Sequence, residues 1–301
     1  MANPAPSVPR LDPYSLRLFV AAAEAGSIAR AAEREHIAAS ALSRRIADLE
    51  HALGVALLVR SARGIELTEA GRCVFERGTR IEAELQGLVS EVWGLSGNVV
   101  GTVRLYANAS AIVGELPERL QAFKQRYPAV KIALQEQRSW EVMRACLDDR
   151  ADLGIAVATQ APKGLDSWHF ASDPLIVLLP AGHELTAQTR IAFKDIAGSG
   201  LVGIQAGGAL DQLIHERAEV ARVPLRIEVT VNSFDAACRM VQAGLGAAIV
   251  PTSAATAYAG SGAFERRELA ESWAQRELRL YALHKSPRLR AVDVLIDMLQ
   301  R

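Results

Sequence analysis

Residues 27–50, SIARAAEREHIAASALSRRIADLE, constrain this chain more than any other stretch. Ile28, Ala31, Ala32, Ile37, Leu42, Ile46 and Leu49 recur at helical spacing, and a break near 34–38 divides them into two short helices. Ser27 follows Gly26 and stands where an N-cap belongs. The second helix, 39–53, buries Leu42, Ile46, Leu49 and Leu53 at steps of four, three and four. Its other face carries Ala39, Ser40, Ser43, Arg44 and Ala47, small side chains first and a cation further on. A helix must approach base edges closely before Arg or Ser can reach them, so this order suits a major-groove helix. An ordinary amphipathic pair in a core carries the same apolar pattern, and periodicity alone does not separate the two.

The residues that follow separate them. Gly54 stands at a C-cap position. VALLVRSARGIELTEAG then reads as a short strand, a turn at Arg63 and Gly64, and a second strand through Ile65 and Leu67. The product is a winged helix-turn-helix with Arg60 and Arg63 near the wing tip, where an Arg can enter a narrow minor groove or meet phosphates. Leu18-Phe19-Val20-Ala21, Glu24-Ala25-Gly26-Ser27, Arg30-Ala31-Ala32, Ala41-Leu42-Ser43-Arg44-Arg45-Ile46, Leu49-Glu50, Leu53-Gly54-Val55 and Leu67-Thr68-Glu69-Ala70-Gly71 resemble the N-terminal signature of the LysR-type transcriptional regulators, without a gap over about fifty residues. There is a departure. The family often has Ser-Gln-Pro where this chain has Ala38-Ala39-Ser40. Losing a Ser cap costs ~1 kcal/mol, and losing the Gln removes a base-edge group, so no operator sequence carries over. The DNA-reading set expected here is Ser43, Arg44 and Arg45 on the major-groove helix, with Ala39 and Ser40 at its close-approach end. Arg45 contacting phosphate is the alternative. Ser27 and Arg30 are expected on the DNA backbone.

Charge does not make this argument. The chain is neutral overall, and between Tyr14 and Gly71 acids and bases are equal in number. Placement must therefore carry any DNA binding, with Glu33, Glu35, Asp48 and Glu50 turned away from the face of Ser43 and Arg44. So few phosphate contacts make a monomer bind weakly and salt-sensitively, and the reading requires dimerisation.

A candidate for pairing follows. Over 72–93, Val74, Gly78, Ile81, Leu85, Leu88 and Val92 step by four, three, four, three and four, the heptad seam of a two-helix coiled coil. Gly78 weakens that seam or lets the helices approach closely. The alternative is an amphipathic helix lying on its own chain's core. The resemblance implies the former, a linker helix that pairs two DNA-binding heads on successive half-sites, followed by a hinge at 94–97.

From Gly101 the periodicity changes to alternating strands and helices, the pattern of an open α/β sheet. Strands are expected at 103–107, 130–134, 153–158, 175–180, 201–204, 225–231, 247–250 and 278–283. Helices are expected at 116–127, 140–149, 210–221, 234–242 and 288–299. Leu116-Pro117, Asp152-Leu153-Gly154-Ile155, Leu179-Pro180 with His183, and Val241-Gln242-Ala243-Gly244-Leu245-Gly246 with Pro251 resemble landmarks of the LysR-type effector domain. The implied organisation is a winged helix-turn-helix DNA-binding domain at 12–71, a linker helix at 72–96 and an effector-binding domain at 97–301. The last comprises two periplasmic-binding-protein-like α/β subdomains, about 98–163 plus 267–301 and about 164–266, with a ligand cleft between them.

Ligands in such sheets sit outside the carboxyl ends of the strands. The loops there offer Asn108 and Ser110, Arg138 and Ser139, Gln205, and Asn232 with Phe234 as an apolar wall. Arg138 suits a carboxylate through a forked pair of hydrogen bonds. These seven residues are the expected site of a small anionic effector, although Ser110 and Ser233 equally suit helix caps. The resemblance implies that effector binding changes the angle between the subdomains and so the spacing of the DNA heads. The expected partners are operator DNA, the effector, a second or further copies in a homodimer or homotetramer, and RNA polymerase.

Other functions find little support. There is no Gly-x-Ser-x-Gly elbow, no phosphate-binding Gly-x-x-x-x-Gly-Lys loop and no His-Glu-x-x-His. Gly244-Leu-Gly246 lacks the third glycine of a dinucleotide fingerprint, and the six histidines form no ligand spacing. No enzyme activity, cofactor or metal is expected. Cys73, Cys146 and Cys238 are far apart and read as small hydrophobes rather than redox groups, Cys238 being the one to test for oxidant sensing. The Pro-rich start lacks a signal pattern and no run approaches the roughly 18 apolar residues of a membrane helix. A cytoplasmic protein is expected, in which the sequon at Asn108 goes unused.

Overall fold

The structure is a computed structural model and describes residues 11–61, 64–94, 99–157, 162–256, 264–285 and 288–300, without the side chains of residues 60, 61, 90, 91, 93 and 94. The chain divides into two compact units, 1–96 and 97–301.

In the first unit, α1 (Pro13–Ala25) begins where Asp12 accepts the Tyr14 and Ser15 N–H groups with Pro13 in the first turn. It ends at Gly26 in the left-handed region. Ser27 accepts the Arg30 N–H and so caps α2 (Ile28–Arg34). Helix α3 (Ala39–Leu53) starts at Ala38 with no side-chain cap, as the Ala38-Ala39 departure requires, and stops at a left-handed Gly54. Leu18, Phe19, Ala31, Leu42 and Ile46 are fully or almost fully buried where the three helices meet. Strands β1 (Leu58–Ser61) and β2 (Gly64–Leu67) pair antiparallel as the wing. Its root is braced by Glu50, whose carboxylate accepts the Leu57 and Leu58 N–H groups at 2.7 and 3.1 Å.

Helix α4 (Glu69–Gly94) starts earlier than the expected 72, because the Thr68 hydroxyl accepts the Gly71 N–H at 2.9 Å and caps it. Its first turns pack on α1. A Cβ on Gly78 would lie 2.9 Å from Val20 Cγ2 and 3.1 Å from Leu16 Cδ1, so only glycine permits this approach. Val74 joins the same core. The upper half of the seam is different: Ile81, Leu85, Leu88 and Val92 are each more than two-fifths exposed. Of the expected hinge at 94–97, Gly94 is the last residue of α4 and residues 95–97 lie outside the described residues.

In the second unit, β3 (Gly101–Ala107) leads through α5 (Ala109–Val113) and α6 (Leu116–Arg126) to β4 (Val130–Glu136), then α7 (Ser139–Leu147), β5 (Leu153–Val157) and β6 (Leu165–Ser172). The chain continues as β7 (Leu175–Leu179), β8 (Arg190–Ile191), α8 (Phe193–Ile196), β9 (Leu201–Ile204), α9 (Ala209–Ala221), β10 (Ile227–Val231), α10 (Phe234–Gln242), β11 (Ala248–Pro251), α11 (Thr252–Thr256) and β12 (Glu265–Leu269). It returns through β13 (Glu277–Leu283) to α12 (Arg290–Leu299).

The strands form a five-stranded sheet ordered β4-β3-β5-β13-β6, a four-stranded sheet ordered β11-β7-β12-β8, and a parallel β9–β10 pair. The pair joins the four-stranded sheet's subdomain through a bridge from Leu201 to Ala247. Val103, Leu105, Leu153, Ile155, Phe123 and Leu295 fill one core, and Leu175, Val177, Leu179, Ile196 and Ile249 another.

Two expected boundaries need correction. A division at 163/164 would separate β6 from the first subdomain, but β6 pairs with β13 from Glu277 to Leu283 in the five-stranded sheet. A division at 266/267 cuts through β12, which pairs with β7 in the four-stranded sheet. The chain therefore crosses between subdomains at Asp173-Pro174 and again at 270–276. No helix among the described residues is long and apolar enough to cross a membrane.

Candidate functional site

Two places collect the expected site residues, one in each unit. On α3, Leu42, Ile46 and Leu49 face inward while Ala39, Ser40 and Arg44 are exposed. The surrounding charges are largely paired off. Arg17 holds Glu35 at 2.5 Å and Arg34 holds Glu24 at 2.8 Å. Glu50 is engaged by the wing. Arg45 turns back to Asp12 at 2.8 Å and lies over the Tyr14 ring, 4.9 Å from its centroid, so it ties α3 to the start of α1. The Asp12 carboxyl is held below its ordinary range, first by the Ser15 hydroxyl and then by backbone N–H groups and Arg45. The Arg30 guanidinium donates to the Ala25 carbonyl at the end of α1, and Ser27 is engaged as the α2 cap. Among the described residues Arg44 has no ion-pair partner. It is thus an exposed cation of α3 that no described side chain pairs. Arg63 lies outside the described residues, as does the side chain of Arg60.

In the second unit a cleft of about 420 Å³ is lined by Asn108, Ser110, Arg138, Ser139, Gln205, Asn232 and Phe234, all seven residues expected from the sequence. They come from four strand-to-helix connections, so the cleft is assembled by the sheet edges rather than by any local motif. Asn108 caps α5 through the Ala111 N–H at 3.1 Å and donates its amide to Ser139 Oγ at 3.2 Å, binding the first two loops together. The helix-cap alternative holds for Ser233, which accepts the Ala236 N–H. For Ser110 it does not, since Asn108 caps that helix. Gln205 has φ +51°, a left-handed backbone that costs a residue with a Cβ about 1 kcal/mol. It is held there by its N–H to Val231 and turns its amide toward the Asn232 carbonyl. Backbone strain concentrated at a cleft marks a place where shape is over-determined.

The lining contains residues that the sequence pattern missed. Glu136 and Glu141 flank Arg138, and the Arg138 N–H donates to Glu141 at 3.1 Å. Arg276 also lines the cleft. Its side chain is only 10% exposed and pairs at 3.0 Å with Asp173, itself almost fully buried. Burial raises the Asp173 carboxyl against the pull of Arg276, and burial lowers the Arg276 guanidinium against the pull of Asp173. No local spacing signals Arg276; it reaches the cleft only because the chain crosses back into the first sheet there.

Comparisons with known proteins agree with this arrangement. Residues 14–72 match the family model for a bacterial regulatory helix-turn-helix protein of the lysR family, and residues 96–301 match the LysR substrate binding domain. The chain belongs to the LysR family. It is 30% identical over 246 residues to a probable RuBisCO transcriptional regulator of Trichormus variabilis, covering 79% of this chain and 73% of that protein. Its fold is similar to that of full-length CbnR in complex with its target DNA, with a TM-score of 0.72 at 22% identity over 97% of this chain and 99% of that one. It is also similar to the regulatory domain of CcmR from Synechocystis in complex with 2-PG, with a TM-score of 0.61 at 16% identity over 66% of this chain and 95% of that one. This LysR-family protein is a DNA-binding transcriptional regulator with an effector-binding domain.

Proposed function

We propose that this LysR-family regulator binds its operator as a homodimer or higher homo-oligomer, reading base edges through Arg44, and that a small effector carrying an oxyanion occupies the cleft between the two subdomains. The observation that carries the effector reading is the convergence of seven polar or aromatic residues from four separate strand-to-helix connections on one cleft. The complex of CcmR with 2-PG supports a ligand of this kind. Ser43, Ala39 and Ser40 complete the major-groove surface, while Arg45, Arg30 and Ser27 act by fixing the helices that present it. The exposed apolar stripe of Ile81, Leu85, Leu88 and Val92 supports pairing of α4 with its copy. Effector binding changes the angle between subdomains and thereby the spacing of the heads. We read the protein as cytoplasmic, and the cleft as binding its ligand without converting it; disappearance of ligand on incubation with the protein would reverse that.

The test is selection of bound fragments from the source genome by the full-length protein, with Arg44→Ala as control. One or a few enriched sites that vanish in the variant support the proposal, and the neighbouring genes then narrow the effector. No enrichment by folded protein at low salt overturns it.

A further inference from the structure

The Asp173–Arg276 pair stands at the only two places where the chain passes between subdomains, among the described residues. Other bonds already hold this place: the Asp173 N–H donates to the Arg276 carbonyl at 3.0 Å, joining the two passages, and the Thr252 N–H and hydroxyl of α11 donate to the Pro174 carbonyl. An ion pair removed from water is weak support for stability, because desolvation offsets the attraction. Its value has to be sought in another role.

The hydrogen bonds suggest one. Arg276 Nε donates to the Asp173 carbonyl at 3.2 Å, and Nη2 donates to Asp173 Oδ2 at 3.0 Å and to Ser110 Oγ at 3.4 Å. Nη1 donates to no acceptor among the described residues, although the guanidinium as a whole is largely buried. Arg276 lines the cleft and Asp173 does not, so the pair turns its positive end toward the cleft. Arg138, by contrast, is an exposed residue of the same cleft. A cation shielded from water attracts an anion more strongly than one at a wet rim.

We propose that the anchoring cation of the cleft is Arg276, which receives a carboxylate or phosphate group of the ligand on its free Nη1 edge and conveys its presence to both crossover strands through Asp173. This rests on the reading of the cleft as the ligand site. Asp173 also accepts the Ser253 N–H of α11, and Arg276 touches Ser110 of α5. One guanidinium thus touches the ligand, both crossovers and a helix of the first subdomain, with Asp173 extending the connection to the second.

The experiment titrates the full-length protein with inorganic phosphate and with acetate, using acetamide as the neutral counterpart of acetate, at ionic strength held constant with chloride. Binding is read from the guanidinium 15N resonances of the unsubstituted protein and from thermal stabilisation. Three variants accompany it: Arg276→Gln, Arg276→Lys and, as a cleft block at the start of α9, Ala209→Trp. The expected result is that one or both anions, but not acetamide, shift the Arg276 resonance. Affinity then falls about tenfold or more in Arg276→Gln, falls less in Arg276→Lys and is lost in Ala209→Trp. Whichever anion shifts the resonance assigns the group as carboxylate or phosphate. Binding unchanged in Arg276→Gln but lost in Ala209→Trp overturns the role of Arg276 and leaves the cleft standing. Binding unchanged in both variants overturns the cleft as well. If Arg276→Gln fails to fold, an anion that stabilises the unsubstituted protein without moving the Arg276 resonance overturns the proposal, as does binding of neither anion.

Discussion

Arg44 and Arg45 are adjacent in sequence and do different chemistry. A step of one residue on a helix turns the side chain by about 100°, which sends Arg45 to Asp12 and Tyr14 and leaves Arg44 outward. Arg44→Ala is expected to cost about 1–3 kcal/mol of specific binding and to relax discrimination at one base pair; competition between operator and random duplex measures it. Arg45→Ala should leave discrimination intact and loosen the start of α1, visible as faster amide exchange at Tyr14 and Ser15. The cysteines divide in the same way. Burial pushes the Cys146 thiol up to about 12 and the Cys238 thiol up to about 11, whereas Cys73 is exposed. The thiolate is the reactive form, so a thiol reagent at neutral pH should titrate one cysteine per native chain and three after denaturation. Rapid reaction of Cys238 in the folded protein would reopen its candidacy as an oxidant sensor.

At the scale of elements, α4 carries one heptad pattern, of which its own chain covers only the first part. The stripe was legible in the sequence as apolar residues at alternating steps, but periodicity records only that a face is buried, not by which chain. Val74 and Gly78 are used by α1 of the same head, where Gly78 admits Leu16 and Val20. Ile81, Leu85, Leu88 and Val92 are left exposed. The halves should therefore respond oppositely to mutation. Gly78→Val overpacks a filled contact and should destabilise the head by about 1–3 kcal/mol, read by denaturant unfolding. Leu85→Glu with Leu88→Glu should leave the head's stability nearly unchanged and shift sedimentation toward the monomer. An unchanged oligomer in that double variant would assign the stripe to some other partner.

At the scale of the whole molecule, what the sequence revealed and what it hid have the same physical origin. The seven cleft residues were found because strand-to-helix loops recur at one edge of any open α/β sheet, a rule that needs only element order. Arg276 and the sheet membership of β6 and β12 were missed because they depend on where the chain crosses between sheets. That is decided by pairing between segments far apart in the sequence, Leu165 with Leu283 and Glu265 with Leu179 for example. The DNA heads pose a related question, because a neutral chain whose head carries as many acids as bases gains little from a single head. Two heads held by paired α4 helices, as proposed, would convert the second contact into an intramolecular one, but only if the half-sites face the same side of the duplex. Half-sites therefore have to be spaced by whole helical turns of about 10 base pairs. Inserting about half a turn between the half-sites of a selected operator should weaken binding by at least the loss of one head, and completing the turn should recover part of it. The same insertions should leave the Leu85→Glu, Leu88→Glu variant indifferent, since an unpaired head has no second site to reach. Equal sensitivity of both proteins to the insertion would mean that α4 does not set the spacing.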